Sequence, residues 1–265
     1  MNATVVIIPS RNHYHLLAAC LETVIHSGLP GRCRILVVDN GSTCLAGQRW
    51  LRRFSRRRGI SLLRFPEPLG FPRACNAGMS RFPGNDIVLL NNDTMVHPGW
   101  LPALSRSPRT PRPGIAASRI LFPNGTIQQA GMGLTSKQKD IHLFSGLPGN
   151  FPPALRPRNL QVVSFVSVLI SRELREEIGL LDENYGIGYY EDLDYCLRAR
   201  TRGFTVRYVP DSLLCHLLSS TTSQLAESEP AALSNRARFW KRWRKQIIPD
   251  WYRLSSAGLQ IALSP

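Results

Sequence analysis

Tyr190-Glu191-Asp192-Leu193-Asp194 puts three carboxylates within four positions, where a helix is expected to begin. Leu89-Leu90-Asn91-Asn92-Asp93 ends an apolar strand on an acid, Val37-Val38-Asp39 ends another, and His216 follows Leu213-Leu214-Cys215. A carboxylate with an imidazole can hold a hard divalent cation, and a carboxylate at a helix start can take a proton from a hydroxyl. Taken singly, each has an ordinary structural explanation. Asp39-Asn40-Gly41-Ser42 is good turn chemistry, first-turn acids face the helix dipole, and a histidine can sit satisfied in a core. Their joint placement, each at the end of an element, points to an enzyme acting on an anionic, nucleotide-linked substrate.

The elements that must position these residues alternate over the first ninety positions. Thr4–Ile8, Arg34–Val38, Ser61–Phe65 and Asp86–Leu90 read as strands. Leu17, Cys20, Leu21 and Val24 recur at helical spacing within Tyr14–His26. A basic helix is expected over Gln48–Arg58, and a loop turning into a helix over Gly70–Met79. Unbroken apolar strands separated by helices predict a mostly parallel sheet covered on both faces, with ligands at the strands' carboxyl ends. After Trp100 the pattern loosens, with short strands around Ala116–Leu121, Val162–Ile170 and Thr205–Val209, and helices over Arg172–Ile178 and Glu191–Arg202. Gly125–Pro157 lacks periodicity and reads as a mobile loop or lid.

The 265 residues suffice for a full core, and no repeat is evident. The run Val162–Ile170 is far short of a membrane span, and Thr4 enters a strand with no basic region before it, so no secretory leader is expected. Six cysteines without CxxC spacing argue against a zinc site or a disulfide framework and fit a reducing cytoplasm. Thirty-three Lys and Arg against 18 Asp and Glu give a net charge of +15. That excess suits phosphate-rich partners, whether nucleic acid, an anionic membrane or a phosphorylated substrate, without choosing among them.

Six segments in order resemble family 2 glycosyltransferases. Val5-Val6-Ile7-Ile8-Pro9-Ser10-Arg11-Asn12 is similar to their opening strand, and Val37-Val38-Asp39-Asn40-Gly41-Ser42 to their second strand end. Gly70-Phe71-Pro72-Arg73-Ala74-Cys75-Asn76-Ala77-Gly78 resembles their G-x(5)-N-x-G helix start, and Leu89-Leu90-Asn91-Asn92-Asp93-Thr94 their DxD-type metal signature. Gly125 to Gly131 and Tyr190 to Arg198 resemble later signatures of a rhamnosyltransferase-like branch. The resemblance spans residues 3 to 218 and implies a GT-A fold, with a nucleotide-binding half to about residue 100 and an acceptor-side half beyond it. Residues 219–265 would add a linker and a basic, aromatic C-terminal helix.

It also implies metal-assisted, inverting transfer from a nucleoside diphosphate-sugar to a glycan or lipid-linked glycan hydroxyl, as in cell-envelope polysaccharide synthesis. Pro9, Arg11, Asp39, Arg73, Asn76 and Asn92 would line the nucleotide-sugar site. Asp93 would hold Mg²⁺ or Mn²⁺, with His216 a second contact to metal or diphosphate. Asp192 would be the general base, with Glu191 beside it as a further catalytic candidate. This chain departs from the pattern in having Asn-Asn-Asp, in placing Ser164 and Ser167 where a Gly-containing segment is usual, and in carrying Gln129 where relatives often have His.

Three rivals remain. A nucleotidyltransferase would show a Gly-rich phosphate loop after the first strand, where this chain has Pro9-Ser10-Arg11-Asn12. A basic nucleic-acid or membrane-binding module would explain the charge without needing Asp93, Asp192 or His216. A catalytically degenerate GT-A protein would keep the fold alone. The glycosyltransferase reading expects no nucleic-acid partner and a cytoplasmic enzyme, peripheral on the inner face of the plasma membrane if its tail inserts. In a helix over Ser234–Ile248, Phe239, Trp240, Trp243 and Ile247 would share one side and Arg238, Lys241, Arg242 and Lys245 the other. Such an aromatic face fits either an anionic membrane or the core of the main domain.

Overall fold

The computed structural model describes residues 3–106, 112–217, 228–255 and 258–262, with backbone alone at 228, 252–255 and 258–262. The expected linker from Ser219, up to residue 227, lies outside the described residues, as do positions 107–111.

β1 (Thr4–Ser10), α1 (Tyr14–His26), β2 (Arg34–Asn40), α2 (Leu45–Arg58), β3 (Ser61–Phe65), α3 (Phe71–Ser80) and β4 (Asp86–Leu90) follow in strict alternation. β1 pairs in parallel with β2 and β4, and β2 with β3. Val5 and Ile7 enter one core cluster and Val6 and Ile8 another, and in β2 Leu36 and Val38 part from Ile35 and Val37 in the same way. Both faces of the sheet are therefore buried, which is why these strands read as continuous apolar runs. Leu17, Cys20, Leu21 and Val24 of α1 cover one face, and Ala74, Cys75 and Met79 of α3 the other.

The second half extends the same sheet with mixed polarity. β5 (Thr94–Val96), α4 (Trp100–Ser105), β6 (Pro113–Leu121), β7 (Ile127–Gln129), β8 (Met132–Leu134), β9 (Asp140–His142), β10 (Arg158–Asn159), β11 (Ser167–Ile170), α5 (Arg172–Ile178), α6 (Glu191–Thr201) and β12 (Thr205–His216) make up this half, with β8 and β9 paired as a separate two-stranded sheet. The order across the sheet is β10-β12-β6-β11-β4-β1-β2-β3. β11 runs antiparallel to both β4 and β6, while β12 is parallel to β6. β12 continues past the expected end at Val209 because residues 210–212 bulge out of register with β6. Ser212, fully buried in that bulge, bonds Ser118, which also contacts Ser167.

The expected lid is instead packed core. Ile127, Ala130, Met132, Leu134, Leu143, Phe144 and Ala154 are all buried, and strands of three residues are too short to print a period on the sequence. Gly131 (φ 96°) shows the tightness, since a Cβ there would stand 2.3 Å from Leu160 Cδ1.

The C-terminal helix α7 (Ser228–Trp243) and a hairpin of β13 (Trp251–Ser255) and β14 (Gly258–Ala262) close the chain. The helix begins before the expected Ser234 and ends before Ile248. Phe239, Trp240 and Trp243 are buried in the same cluster as α6, so the aromatic face considered for membrane insertion is occupied by the core. Trp243 Nε1 donates to Asp194 Oδ1 at 2.8 Å, and Asn235 Nδ2 donates to the carbonyls of Tyr185 (2.8 Å) and Gly188 (2.7 Å). No helix among the described residues is long and apolar enough to cross a membrane. Trp243→Ala should lower the unfolding free energy by about 3–5 kcal/mol, read as a lower urea midpoint. Deletion of residues 236–265 should yield an aggregating or much less stable protein. A soluble truncation with the parent's midpoint would contradict the packing of α7.

Candidate active site

β1 and β2 end level, with Ser10 opposite Asp39. Asp39 is 1% exposed, and its Oδ1 accepts from Ser42 N at 3.2 Å. Its Oδ2 is buried without a hydrogen-bond partner, and Arg64 Nε stands 3.6 Å away. An unfilled buried acceptor of this kind is a place for a ligand N–H or O–H. Arg64 arrives there because the β2–β3 register sets it against Asp39; as one arginine among many, it carried no sequence signal. The rim is held by unusual backbone, with Asn12 and His13 at φ 54° and 45°. Asn12 N donates to Ser42 Oγ at 2.8 Å, and its Oδ1 accepts from Thr43 N at 3.0 Å. Gly41 (φ 74°) passes so close to the next loop that a Cβ would lie 2.4 Å from Pro68 N. Arg11 follows directly, its Nε buried without a partner. Pro9 is buried near the strand end, beyond Ile7 where pairing with β4 stops, so its missing N–H breaks no bond to that neighbour.

Asn92 Nδ2 donates to Ser10 Oγ at 3.1 Å, joining the end of β4 to that of β1. The next residue, Asp93, is 5% exposed, and its Oδ1 lies 3.0 Å from Nε2 of His216, itself 7% exposed. β5 turns back antiparallel onto β12, with Thr94 opposite His216, and this brings the two together. On the far side of the ring, Nδ1 lies 3.0 Å from Gln128 Oε1. With that oxygen accepting, Nδ1 carries a hydrogen, and Nε2 faces Asp93 Oδ1 across a gap that a proton or a cation must bridge. Sequence reasoning missed Gln128, whose only signal was its place within the Gly125-to-Gly131 segment. Among the described residues no three His, Cys, Asp or Glu side chains gather as a metal site. One carboxylate and one imidazole nonetheless fit Mg²⁺ or Mn²⁺ completed by diphosphate oxygens and water.

The third group enters from the acceptor half. Asn91 N donates to Val166 O at 2.9 Å, setting the 164–166 segment at the carboxyl end of β4. Phe165 N donates to Asp192 Oδ2 at 3.3 Å, and Leu193 N to Asp192 Oδ1 at 2.8 Å. Desolvation raises the Asp192 carboxyl from 3.8 to about 6, with Asp140 adding to the rise and the two backbone donors opposing it. Burial thus outweighs the favour expected from the helix N-terminus. Asp140 lies on β9, where its Oδ1 accepts from Tyr190 OH at 2.9 Å. The segment first read as a lid therefore helps tune Asp192.

Three expectations change. Glu191 is 5% exposed with Oε2 unpartnered, and burial, then the charge of Asp192, pushes its carboxyl well above the ordinary range. Burial of this kind disfavours the ionised form that a base needs. Asn76 faces away from the nucleotide pocket: it donates to Leu181 O (2.9 Å) and Glu183 Oε1 (3.0 Å) and accepts from Leu181 N (3.0 Å). It staples α3 to the 181–183 loop, and no hydrogen of its amide remains for a ligand. Arg73 pairs with the same Glu183 at 3.1 Å on the surface. Ser167 is buried, takes a bond from Trp100 Nε1 at 2.9 Å, and is structural, whereas Ser164 Oγ donates to Gln129 Oε1.

The profile of glycosyl transferase family 2 matches residues 5–179. The chain belongs to that family. Relatives of this family member include an O-antigen biosynthesis protein, RfbC, of Myxococcus xanthus, 26% identical over 235 residues that cover 86% of this chain and 18% of that protein. Among solved structures, GalNAc-T7 with UDP, GalNAc and Mn²⁺ superposes with a TM-score of 0.75 at 17% identity, covering 93% of this chain and 49% of the other. The mannosyltransferase PcManGT of Pyrobaculum calidifontis with GDP-Man and Mn²⁺ gives 0.68 at 15% identity, covering 94% and 66%. The fold is GT-A. The chain spans less than a fifth of RfbC and about half to two thirds of the two solved chains.

The raised Asp192 carboxyl carries a stability signature. Its folded value of about 6 lies above the ordinary 3.8, so ionisation disfavours the folded state. That penalty is absent below 3.8, builds as pH rises, and is complete above about 6. Asp192→Asn should therefore melt higher than the parent at neutral pH and alike near pH 4, as checked by thermal unfolding at both. Equal melting at neutral pH would show that Asp192 is not held in a desolvating site.

Proposed function

We propose that this chain is a nucleotide-sugar glycosyltransferase. It moves a sugar from a nucleoside diphosphate to a hydroxyl of a glycan or lipid-linked glycan, with inversion at the anomeric carbon. The observation that carries the reading is the polar track across the carboxyl ends of the sheet's strands. It runs from the unfilled Asp39 Oδ2 through Ser10 and Asn92 to Asp93 and His216. Asp192 is tied to the adjoining 164–166 segment.

Each group has a task that its surroundings suit. Asp39 Oδ2 would accept an N–H or O–H from the nucleoside, with Asn92 and Arg11 beside it. Asp93 and His216 would hold Mg²⁺ or Mn²⁺, which supplies positive charge to the diphosphate as it leaves. Asp192, ionised above about pH 6, would take the acceptor hydroxyl's proton while the acceptor oxygen bonds to the anomeric carbon and the bond to the diphosphate oxygen breaks. One base acting on the acceptor hydroxyl makes a single displacement, hence inversion. The two solved neighbours hold UDP and GDP-Man respectively, so neither base is preferred for this chain. The name of the Myxococcus relative supports a cell-surface polysaccharide acceptor.

A melting-temperature screen of nucleoside diphosphates and their sugars with Mn²⁺ tests the donor, since a ligand bound only by the folded state raises the midpoint. No shift with any of them would end the proposal. Asp93→Ala should abolish the metal-dependent shift and His216→Ala should weaken it. Gln128→Leu, which frees the ring, should weaken it by about tenfold or more. With the donor known, Asp192→Asn should lower turnover by about 100-fold or more and leave nucleotide binding unchanged. A variant retaining a large part of the parent's turnover would remove Asp192 from the role of base.

A further inference from the structure

We infer that the arginine face of α2 docks the protein on an anionic membrane surface. The sequence of α2, Leu-Ala-Gly-Gln-Arg-Trp-Leu-Arg-Arg-Phe-Ser-Arg-Arg-Arg, contains six arginines and no acid. At 3.6 residues per turn, Arg49, Arg52, Arg53, Arg56 and Arg57 share an arc of about 140° on the helix. All five are exposed, opposite the buried Gly47, Gln48, Leu51 and Ser55. Arg58 turns the other way, towards Glu22 at 3.6 Å. Among the described residues none of the other five is in an ion pair, so the arc is a concentrated and uncompensated positive charge.

Apolar groups border the arc. Leu45 lies within it at the helix start and is 69% exposed. Trp50 and Phe54, both half-buried, run along its flank. A basic helical face with a leading apolar side chain and an aromatic flank suits the headgroup boundary of an anionic bilayer, where each cation near the surface contributes separately. Two features disfavour a single-stranded nucleic acid. The face is a single convex helix rather than a groove, and the flanking rings are engaged with one another. Trp50 stacks on Phe54 at 5.1 Å and meets Tyr14 edge-on at 6.2 Å, so no aromatic platform is left for bases.

The position fits the rest of the molecule. α7 has its aromatic side in the core and offers no such face. α2 begins just after the Asp39–Ser42 rim, and Gln48 Nε2 donates to Ser42 O at 2.7 Å, fastening the helix to it. A membrane lying along α2 would pass beside the proposed donor site. The docking itself does not depend on which reaction that site performs.

Co-sedimentation of the full chain with phosphatidylcholine vesicles, with and without phosphatidylglycerol, tests this at low salt. Retention is expected only with phosphatidylglycerol and should fall as salt is added. The variant Arg52→Gln/Arg53→Gln/Arg56→Gln should bind these vesicles about 100-fold more weakly. Its melting temperature and its Mn²⁺-dependent nucleotide response should match the parent's, which separates this proposal from that of the donor site. Absence of retention on phosphatidylglycerol, or undiminished retention of the triple variant, would overturn it. Tighter binding to duplex DNA than to the vesicles at equal salt, lost in the same variant, would assign the face to nucleic acid instead and overturn it as well.

Discussion

The contact on which the site depends is Asp93 Oδ1 against His216 Nε2 at 3.0 Å, across 123 positions of sequence. It exists because β12 does not stop at its first pairing with β6. The bulge at 210–212 absorbs the misfit, Ser212 is satisfied by Ser118, and the strand runs on to meet β5. Leu217 N then donates to Asp93 O at 2.9 Å, so backbone and side chain both fasten this corner. A carboxylate and an imidazole left together at such low exposure need further partners, and Gln128 supplies one from β7. The two halves of the sheet are thereby joined at the proposed cation site.

The three acids at the start of α6 share a helix turn and have three different surroundings. Asp194 is fully buried but surrounded by donors: Arg198 Nε at 2.9 Å, Arg242 Nη1 at 3.1 Å and Trp243 Nε1 at 2.8 Å. It fastens α7 to α6, a structural task that removes it from the catalytic candidates. Glu191 is buried with one oxygen unpartnered, and desolvation raises its carboxyl well above the ordinary range. Asp192 has two backbone donors, which oppose the desolvation that raises its carboxyl to about 6. Local sequence cannot rank these three, because the ranking is set by α7, β9 and the 164–166 segment.

The surplus of positive charge is likewise resolved by position. Arg175 and Arg198 are drawn inward to carbonyls, Arg64 stands beside Asp39, and Arg112 lies over the Phe204 ring at 4.1 Å. These are packing and site functions that a charge count cannot separate from a surface field. What remains outward on α2 is a smaller and better-defined patch than the net charge of +15 suggests.

The sequence alone determined the parallel half of the sheet, since strands buried on both faces must be apolar throughout and the helices between them must be amphipathic. It also determined that Asp39, Asn92–Asp93 and His216 stand at element ends, because turn chemistry and loss of apolar character mark those ends directly. Residues 125–157 were illegible, as strands of three residues hold too few alternations to register a period while their packing is entirely non-local. The direction in which Asn76 faces, the partner of His216, and which acid at α6 stays ionisable were decided only by tertiary structure. Each depends on desolvation and on hydrogen-bond partners more than 80 residues away in some cases, as with Asn76 to Leu181 and His216 to Gln128. The fate of the aromatic face of α7 was decided the same way: its period fits a membrane or a core equally well, and only the apolar surface left open beside α6 draws it inward.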